Sequence, residues 1–263
     1  MTPMLSYSLP EMVFVTGAAS GLGTGICKHL LEAGVNTVGI DLGAAPAQLE
    51  GQHYTHFRGD VTSEALWAEV SALVLDKAPA TLGLVTSAAI LEVGTILDFD
   101  KAAIERTMSV NVTGTALAFR ALLPHMIARG KGVIVAVASV DASFAEQQLS
   151  VYAASKGAVR QLTRTVALDH ARQGIRANVL SPGPMMAGLF ERHMKSASDP
   201  EKFKSTRAAR QPGGEILSPN DVARAALFLL SDGSAALNAS DLIADGGLTA
   251  SFDFRTGAEG ASV

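Results

Sequence analysis

A tyrosine and a lysine lie four residues apart in the segment 151–156, which reads Val-Tyr-Ala-Ala-Ser-Lys. Four residues span about one helical turn, so Tyr152 and Lys156 would project from the same helix face. A neighbouring ammonium favours the phenolate and lowers the tyrosine pKa from its usual value of about 10, which suits general acid–base chemistry. Ser139 lies upstream and could hold the oxygen of an alcohol or a carbonyl. Taken alone, such a pair is more often a half-buried tyrosine beside an exposed lysine. The rest of the sequence must therefore decide whether the pair is catalytic.

Apolar segments of strand type alternate with amphipathic segments along the chain. Strands are predicted at residues 12–16, 36–41, 82–89, 132–139, 175–179 and 239–244, with a further strand just before residue 60. Helices are predicted at residues 22–33, 64–77, 101–129, 151–173 and 220–230. This alternation predicts an α/β fold of the Rossmann type, in which helices cover both faces of a doubly wound parallel sheet.

The composition predicts one soluble domain over residues 1–263, with a core at about 12–250. Hydrophobic residues make up 48% and charged residues 17%, and the net charge of −4 provides no basic surface for nucleic acid or an anionic membrane. Residues 182–219 are the least regular stretch and are expected to form a mobile excursion, and residues 252–263 a loose tail. No metal site is expected.

The cysteine count and the lengths of the apolar runs indicate the cellular compartment in which the protein is expected. Cys27 is the single cysteine, so a disulfide framework is not expected and a reducing compartment is the default. Residues 1–11 lack the basic start and apolar core of a signal peptide. No apolar run reaches the ~20 residues that span a bilayer. We therefore expect a cytoplasmic protein with no membrane partner.

A glycine-rich loop, Thr-Gly-Ala-Ala-Ser-Gly-Leu-Gly over residues 16–23, joins the first strand to the first helix. Gly17 permits a tight turn, whereas Gly21 and Gly23 let backbone amides approach a pyrophosphate at the positive end of the helix. Asp41 ends the second strand, where a carboxylate binds an adenosine ribose and repels a 2′-phosphate. The loop holds no lysine or arginine, so the predicted cofactor is NAD rather than NADP. Asp60 either contacts the adenine ring or lies in a solvated turn.

Together these motifs resemble the short-chain dehydrogenase/reductase family, in its single-domain NAD-dependent form, over roughly residues 12–250. The matching pieces are Thr16-Gly17-x-x-x-Gly21-x-Gly23, Asp60-Val61, Asn111 in Val110-Asn-Val112, Ser139, Tyr152-x-x-x-Lys156, Pro182-Gly183 and Asp245-Gly-Gly247. The resemblance implies a doubly wound sheet, a nicotinamide cofactor, and a homotetramer (or homodimer) built through the two long helices that start near Asn111 and Tyr152.

The resemblance also implies a catalytic set of four residues. Tyr152 would be the general acid/base, and Lys156 would lower its pKa and hold the nicotinamide ribose. Ser139 would orient the substrate oxygen. Asn111 would support a water that links Lys156 to solvent, or it is a polar helix residue that satisfies a local backbone break. The predicted cofactor-binding residues are Gly17, Ser20, Gly21, Leu22, Gly23, Asp41, Leu42, Asp60, Val61, Ser87, Ala88, Tyr152, Lys156, Pro182 and Gly183.

Two segments depart from the family pattern. Thr86-Ser87-Ala88-Ala89 stands where Asn-Asn-Ala-Gly is usual. Thr86 and Ser87 can still donate hydrogen bonds but reach less far, which would weaken cofactor affinity or shift a loop. Ala187 stands where a threonine usually meets the nicotinamide carboxamide, so backbone groups of residues 184–187 are expected to substitute.

The substrate is a small alcohol or ketone whose identity the motifs leave open. Polar side chains in the segment after Ser139 suit a sugar, a polyol or a small hydroxy acid. The excursion supplies an apolar set that suits a ring or an acyl chain. The candidate residues are Asp141, Phe144, Glu146, Gln147, Gln148, Met185, Met186, Leu189, Phe190 and His193. His193 is interpreted as a helix-surface residue. Arg207 and Arg210 could meet an anionic substrate, but a solvated helix is the favoured interpretation.

The resulting hypothesis is an NAD-dependent oxidoreductase that interconverts a secondary alcohol and a ketone by hydride transfer, with a sugar or polyol as the first choice of substrate. A 3-oxoacyl or cyclic-ketone reductase is the alternative. A nucleotide-binding regulatory protein without turnover is a third possibility, which the retained Tyr152 and Lys156 disfavour.

Overall fold

Seven parallel strands form one sheet in the computed structural model, which describes residues 7–250. The expectations for residues 1–6 and for the tail beyond residue 250 lie outside the described residues. The strands are β1 (Met12–Thr16), β2 (Asn36–Asp41), β3 (Tyr54–Arg58), β4 (Leu82–Thr86), β5 (Gly132–Val137), β6 (Ile175–Pro182) and β7 (Asp241–Ala244). Their order is β3-β2-β1-β4-β5-β6-β7, so β2 and β4 flank β1 and the chain winds outward in both directions. The predicted doubly wound sheet is confirmed.

Within residues 7–250, eight α-helices connect and cover the strands. They are α1 (Gly21–Glu32), α2 (Glu64–Lys77), α3 (Lys101–Met108), α4 (Gly114–Ala128), α5 (Ser150–Asp169), α6 (Gly188–Ser196), α7 (Pro200–Ala209) and α8 (Pro219–Leu230). The central strands β1, β4 and β5 are buried throughout, which explains their continuous apolar sequences.

Two hydrophobic layers hold helices to the sheet, one on each face. On one face, α1 and α8 contribute Ile26, Leu30 and Ala226 to a layer that packs on β1 and β5. On the other, α2 and α4 contribute Trp67 and Leu122, and α5 adds further apolar residues. Burial on both faces fixes the strands in register, so their carboxyl ends meet along one edge of the sheet.

Several element bounds differ from the sequence-based expectation. The strand predicted at 82–89 ends at Thr86, and the one predicted at 132–139 ends at Val137. The helix predicted over 101–129 is interrupted by a π-helical turn at Ser109–Thr113. The helix predicted over 151–173 ends at Asp169 and is followed by a 3-10 turn. Strand β6 continues to Pro182, three residues beyond the predicted end.

The prediction of an irregular excursion at residues 182–219 is wrong, because α6 and α7 lie within it. Asp199 caps α7 by accepting a hydrogen bond from the amide of Lys202 at 2.9 Å, and Pro200 follows at the first helical position. Neither helix contains a buried residue. Each helix is short, nine residues in α6 and ten in α7, and its side chains are at most partly buried, so the segment lacks the long apolar pattern that identified most of the other helices.

Candidate active site

A cavity of about 430 Å³ opens at the carboxyl ends of the strands, beside the point where β2 and β4 leave β1 in opposite directions. Ligands of doubly wound folds bind at this position. All the predicted cofactor-binding residues except Gly23 line the cavity, and so do Ser139, Tyr152 and Lys156. One cavity therefore brings together the predicted cofactor and catalytic groups.

The glycine loop lies against the segment that follows β4. Gly17 has φ +72°, and a Cβ there would come within 2.8 Å of the backbone nitrogen of Ala88. The Thr16 hydroxyl accepts hydrogen bonds from the amides of Ser87 at 3.0 Å and Ala88 at 3.1 Å. Backbone amides therefore join the two strands where the family pattern uses asparagine side chains. The expected hydrogen bond from Thr86 is not formed, since its buried hydroxyl has no partner within residues 7–250.

The other two glycines of the loop differ in position. A Cβ on Gly21 would lie 3.0 Å from Gly188 Cα, so the loop contacts the first turn of α6. Gly23 lies behind the loop, away from the cavity, and a Cβ there would overlap the carbonyl oxygen of Gly17. Gly23 thus keeps the helix close to its own loop, whereas Gly17 and Gly21 allow the backbones at Ala88 and Gly188 to pack against that loop.

Asp41 ends β2 with both carboxylate oxygens fixed. Oδ2 accepts from the amide of Ala19 at 3.0 Å, and Oδ1 accepts from the amide of Gly43 at 2.8 Å. A carboxylate oxygen can accept more than one hydrogen bond, so each retains capacity for a ribose hydroxyl. Asp60 also lines the cavity, and its Oδ1 accepts from the amide of Thr62 at 2.9 Å in a tight turn. The glycine cradle and Asp41 fit a nicotinamide dinucleotide.

Tyr152 and Lys156 lie in the first turns of α5 and are 7% and 3% exposed. The Lys156 ammonium lies 5.7 Å from the tyrosine ring centroid and donates to the carbonyl oxygen of Val137 at 2.9 Å. This bond ties the helix to the end of β5. The predicted arrangement on one helix face is present.

The pKa values of this pair depend mainly on burial. Burial lowers the pKa of Lys156 to about 8. The pKa of Tyr152 is raised, first by burial and then by the charge of Asp141, with a smaller contribution from Glu146, while a hydrogen bond with Ser139 acts in the opposite direction. The predicted lowering of the Tyr152 pKa is therefore wrong for the protein alone, because burial and the charges of Asp141 and Glu146 raise it.

Asn111 is 1% exposed, lies in the π-helical turn and does not reach the cavity. Its Oδ1 accepts from the amide of Ile90 at 2.8 Å, while Nδ2 donates to the carbonyl of Ile90 at 3.0 Å and to Ser155 Oγ at 2.9 Å. Its backbone carbonyl accepts from the Thr115 hydroxyl at 2.8 Å. The side chain thus joins the 90s segment to α5 at a helix break.

The substrate side of the cavity carries charges of both signs. Ser139 Oγ donates to Asp141 Oδ2 at 3.0 Å, and Glu146 pairs with Arg207 of α7 at 2.5 Å. Arg207 also stacks on Phe203 at 5.2 Å from the ring centroid. The interpretation of Arg207 as a solvated residue is therefore wrong, because it lines the cavity and joins α7 to the segment after β5.

The structure sorts the candidate substrate residues into two groups. Those that line the cavity are Asp141, Glu146, Met185, Leu189, Phe190 and His193, and those that do not are Phe144, Gln147, Gln148 and Met186. His193 packs edge-on against Phe203 at 4.9 Å and is not simply a surface residue. Sequence reasoning missed Leu149, Arg192 and Phe203, which also line the cavity. No motif marked them, since Leu149 directly precedes α5, while Arg192 and Phe203 lie on α6 and α7 within a segment expected to be irregular.

Comparison with known proteins gives consistent matches over nearly the whole chain. Residues 17–249 match a family model described as Enoyl-(Acyl carrier protein) reductase. The chain is 35% identical over 248 residues to 2-(S)-hydroxypropyl-CoM dehydrogenase 3 of Xanthobacter autotrophicus, covering 91% of this chain and 97% of that protein. It is 36% identical over 242 residues to galactitol 2-dehydrogenase (L-tagatose-forming) of Cereibacter sphaeroides, covering 89% and 93%. The ligand-free aldohexose dehydrogenase of Thermoplasma acidophilum superposes with a TM-score of 0.87 at 28% identity, covering 96% and 100%.

Two further features concern metals and membranes. No cluster of three or more His, Cys, Asp or Glu side chains that could hold a metal occurs within residues 7–250. In the same part of the chain, no helix is both long enough and apolar enough to span a bilayer.

Proposed function

Because the chain belongs to the short-chain dehydrogenase/reductase family, an oxidoreductase family that acts on CH–OH groups with a nicotinamide cofactor, we propose that it is an NAD-dependent dehydrogenase of small polyhydroxy compounds. The observation that carries the proposal is the meeting of Ser139, Tyr152 and Lys156 with the glycine cradle in one cavity. Bound there, the cofactor supplies the hydride acceptor or donor at its nicotinamide ring.

The residues divide the remaining work. The Ser139 hydroxyl orients the substrate oxygen, and the Tyr152 phenol exchanges a proton with that oxygen. Lys156, buried beside Tyr152, favours the phenolate and binds the ribose of the cofactor. Asn111 positions the helix break and α5 through its bonds to Ile90 and Ser155. The buried site excludes water from the reacting atoms, which strengthens each of these interactions.

The preference for NAD over NADP rests on Asp41. Its carboxylate is fixed at the end of β2 by two backbone amides, so it cannot turn away from a 2′-phosphate. A 2′-phosphate on the adenosine ribose would lie beside this carboxylate, and like charges repel strongly where water is partly excluded. A higher kcat/KM with NADP than with NAD would overturn this assignment.

A polyhydroxy substrate is favoured by the polar groups near Ser139 and by two of the similar proteins, which are named as dehydrogenases of galactitol and of aldohexoses. A 3-oxoacyl or cyclic-ketone reductase is the second candidate. It is favoured by the acyl substrate named in the description of the matching family model, although that description concerns an enoyl C=C bond rather than a ketone, and by Met185, Leu189 and Phe190 in the cavity wall.

The test is a spectrophotometric assay of NADH formation with the parent and with Tyr152→Phe. Sugars, polyols, hydroxy acids and cyclic alcohols are each supplied with NAD and with NADP. We expect NAD-linked oxidation of at least one polyol by the parent. In Tyr152→Phe, kcat/KM for that polyol should fall more than about 10²-fold, since general acid–base catalysis contributes that much. Equal behaviour of the two proteins with every substrate would instead indicate a binding protein without turnover.

We further propose a homotetramer, or a homodimer, in the cytoplasm. A free, buried Cys27 suits a reducing compartment. Leu168 on α5 is 70% exposed, which suits burial against another copy through the faces of α4 and α5. A sizing column measures the mass, and a monomer would contradict the proposal.

A further inference from the structure

We infer that Asp141 selects substrates bearing a second hydroxyl on the carbon next to the reacting carbon, by accepting a hydrogen bond from that hydroxyl on Oδ1. The inference deepens the proposed function and rests on it. It assigns the substrate class to vicinal diols, as found in polyols and sugars.

Asp141 is fixed beside the group that holds the reacting oxygen. Its Oδ2 accepts from the Ser139 hydroxyl at 3.0 Å, and its own amide donates back to Ser139 Oγ at 3.2 Å. This pair of bonds closes a small ring, so the carboxylate cannot leave without releasing Ser139. Any substrate oxygen that contacts Ser139 therefore lies next to the Asp141 carboxylate.

The second carboxylate oxygen has spare capacity. Within residues 7–250, Oδ1 of Asp141 accepts no hydrogen bond, although the residue lines the cavity. A carboxylate offers about four acceptor positions, and a partly buried one is destabilised when they are unfilled. Burial and the charge of Glu146 raise the pKa of Asp141, while the Ser139 hydrogen bond and Arg207 act in the opposite direction. The site thus presents a carboxylate that gains from one more donor.

Arg207, the cation whose charge acts on Asp141, already has a partner. Arg207 pairs with Glu146 at 2.5 Å and stacks on Phe203, and its charge is the smallest of the four influences on the Asp141 pKa. An anionic group placed near Ser139 would meet the carboxylates of Asp141 and Glu146, and the guanidinium of Arg207 is already paired. An apolar group there would leave Oδ1 without a donor.

A vicinal hydroxyl fits this position. Oxygens on neighbouring carbons of a diol lie about a hydrogen-bond length apart, which matches the spacing between Ser139 Oγ and Asp141. One diol oxygen can therefore contact Ser139 and Tyr152 while the other donates to Oδ1. A site built to bind a substrate hydroxyl discriminates strongly against an analogue that lacks it, because a buried polar group is then left unpaired.

The experiment compares each diol with the mono-alcohol of the same skeleton. The parent, Asp141→Asn and Asp141→Leu are assayed with NAD on meso-2,3-butanediol against 2-butanol, and on cis- and trans-1,2-cyclohexanediol against cyclohexanol. The carboxylate of Glu92, which pairs with Arg106 at 2.7 Å and does not line the cavity, provides the matched change of charge in Glu92→Gln. Binding of NADH and thermal unfolding confirm that each variant is folded.

We expect the parent to prefer one diol, and Asp141→Leu to lower the diol-to-mono-alcohol ratio of kcat/KM about 10- to 100-fold, chiefly through KM for the diol. This range corresponds to the loss of one hydrogen bond to a charged group. The ratio for Asp141→Asn should lie between those of the parent and Asp141→Leu, because the amide oxygen of asparagine still accepts a hydrogen bond. Glu92→Gln should keep the parent ratio.

Two results would overturn the inference while leaving the dehydrogenase intact. The first is equal kcat/KM for diols and mono-alcohols in the parent. The second is an equal loss on both classes in Asp141→Leu, which would show that Asp141 only positions Ser139. If no alcohol of any class is oxidised in a Tyr152-dependent way, the proposed function fails instead. Stabilisation of the NAD complex by the diol in a thermal melt, present in the parent and absent in Asp141→Leu, then still decides whether Asp141 binds diols.

Discussion

The cofactor half of the cavity and the substrate half are built by different means. In the cofactor half, formed by residues 16–23, Asp41 and residues 86–90, backbone groups meet directly. Gly17 approaches Ala88, and the Thr16 hydroxyl binds two amides of the neighbouring strand. In the substrate half, formed by residues 139–149 and 184–211, α6 and α7 bury no residue. Aromatic contacts and the ion pair between Glu146 and Arg207 join α7 to its neighbours.

This difference explains why the residues of the cofactor half could be predicted from the sequence, whereas the helices of the substrate half could not. Where two backbones touch, only glycine fits, so the residue type is dictated position by position. Where exposed helices meet through flexible side chains, many residue types give the same contact. The second arrangement also has lower local stability, which suits a segment that must admit and release substrates.

The largest effect is expected from Gly23→Ala in the cofactor half. A Cβ at this position would overlap the Gly17 carbonyl oxygen, so the loop must move away from its helix. We expect NADH affinity, measured by fluorescence titration, to fall more than about 10-fold, and the free energy of unfolding to drop by about 1–3 kcal/mol.

Gly25→Ala is the matched control two residues along the same helix. Its nearest neighbouring atoms would be 3.7 Å from the new Cβ, which is ordinary contact. Because alanine favours the helix over glycine, this variant should gain up to about 1 kcal/mol and bind NADH as the parent does. Normal NADH binding by Gly23→Ala would contradict the close-packed description of this half.

The second effect concerns Lys156, at the border between the halves. Burial lowers its pKa from 10.5 in the unfolded chain to about 8 in the folded protein. Below pH 8 the folded state therefore carries the full cost of a buried charge, on the order of 3 kcal/mol. As the pH rises from 8 to 10.5 the folded state loses the proton first, and this cost disappears.

Lys156→Met should therefore be inactive yet more stable than the parent at pH 7, with an advantage that vanishes towards pH 10.5. Urea unfolding of the cofactor-free protein at several pH values measures it. Lys101→Met is the control, because the Lys101 side chain is 87% exposed and should show no such trend. A less stable Lys156→Met at pH 7 would mean that the bond to Val137 outweighs the cost of burial.

The sequence was sufficient to predict the sheet, the glycine loop and the placement of Tyr152 on one helix face with Lys156. Each depends on local periodicity or on a short motif. The direction of the Tyr152 pKa was not predictable, because it depends on the depth of burial and on Asp141, which only the folded chain brings close. A local backbone break at Asn111 was one of the two interpretations drawn from the sequence, but its partners Ile90 and Ser155 were not predictable, because both lie far from it along the chain.

A smaller effect is expected when the ion pair of the substrate half is broken by Arg207→Met. The change leaves Glu146 without its partner and frees α7 from the segment after β5. Steady-state kinetics should show a rise in KM for the alcohol of up to about 10-fold, with KM for NAD within about twofold of the parent. Arg210→Met changes an exposed arginine that does not line the cavity, and both constants should stay at the parent values.

The double variant Glu146→Gln with Arg207→Met tests whether the unpaired carboxylate causes the loss. If it does, the double variant should recover part of the affinity lost in Arg207→Met, because no charge is then left alone in the cavity wall. Additive losses would show that the two residues act independently.

The smallest effect is expected from Phe203→Leu in α7. The Phe203 ring contacts Phe190 at 5.6 Å, His193 at 4.9 Å and the Arg207 guanidinium at 5.2 Å, so it joins α6 to α7. The smaller side chain should raise KM for the alcohol about threefold and lower the free energy of unfolding by less than about 1 kcal/mol, because α7 buries no residue. NADH affinity should not change, because none of these three contacts of the Phe203 ring involves the glycine loop. If NADH affinity fell as much as alcohol affinity, the contact of α6 with Gly21 would transmit the change, and the two halves would respond as one unit.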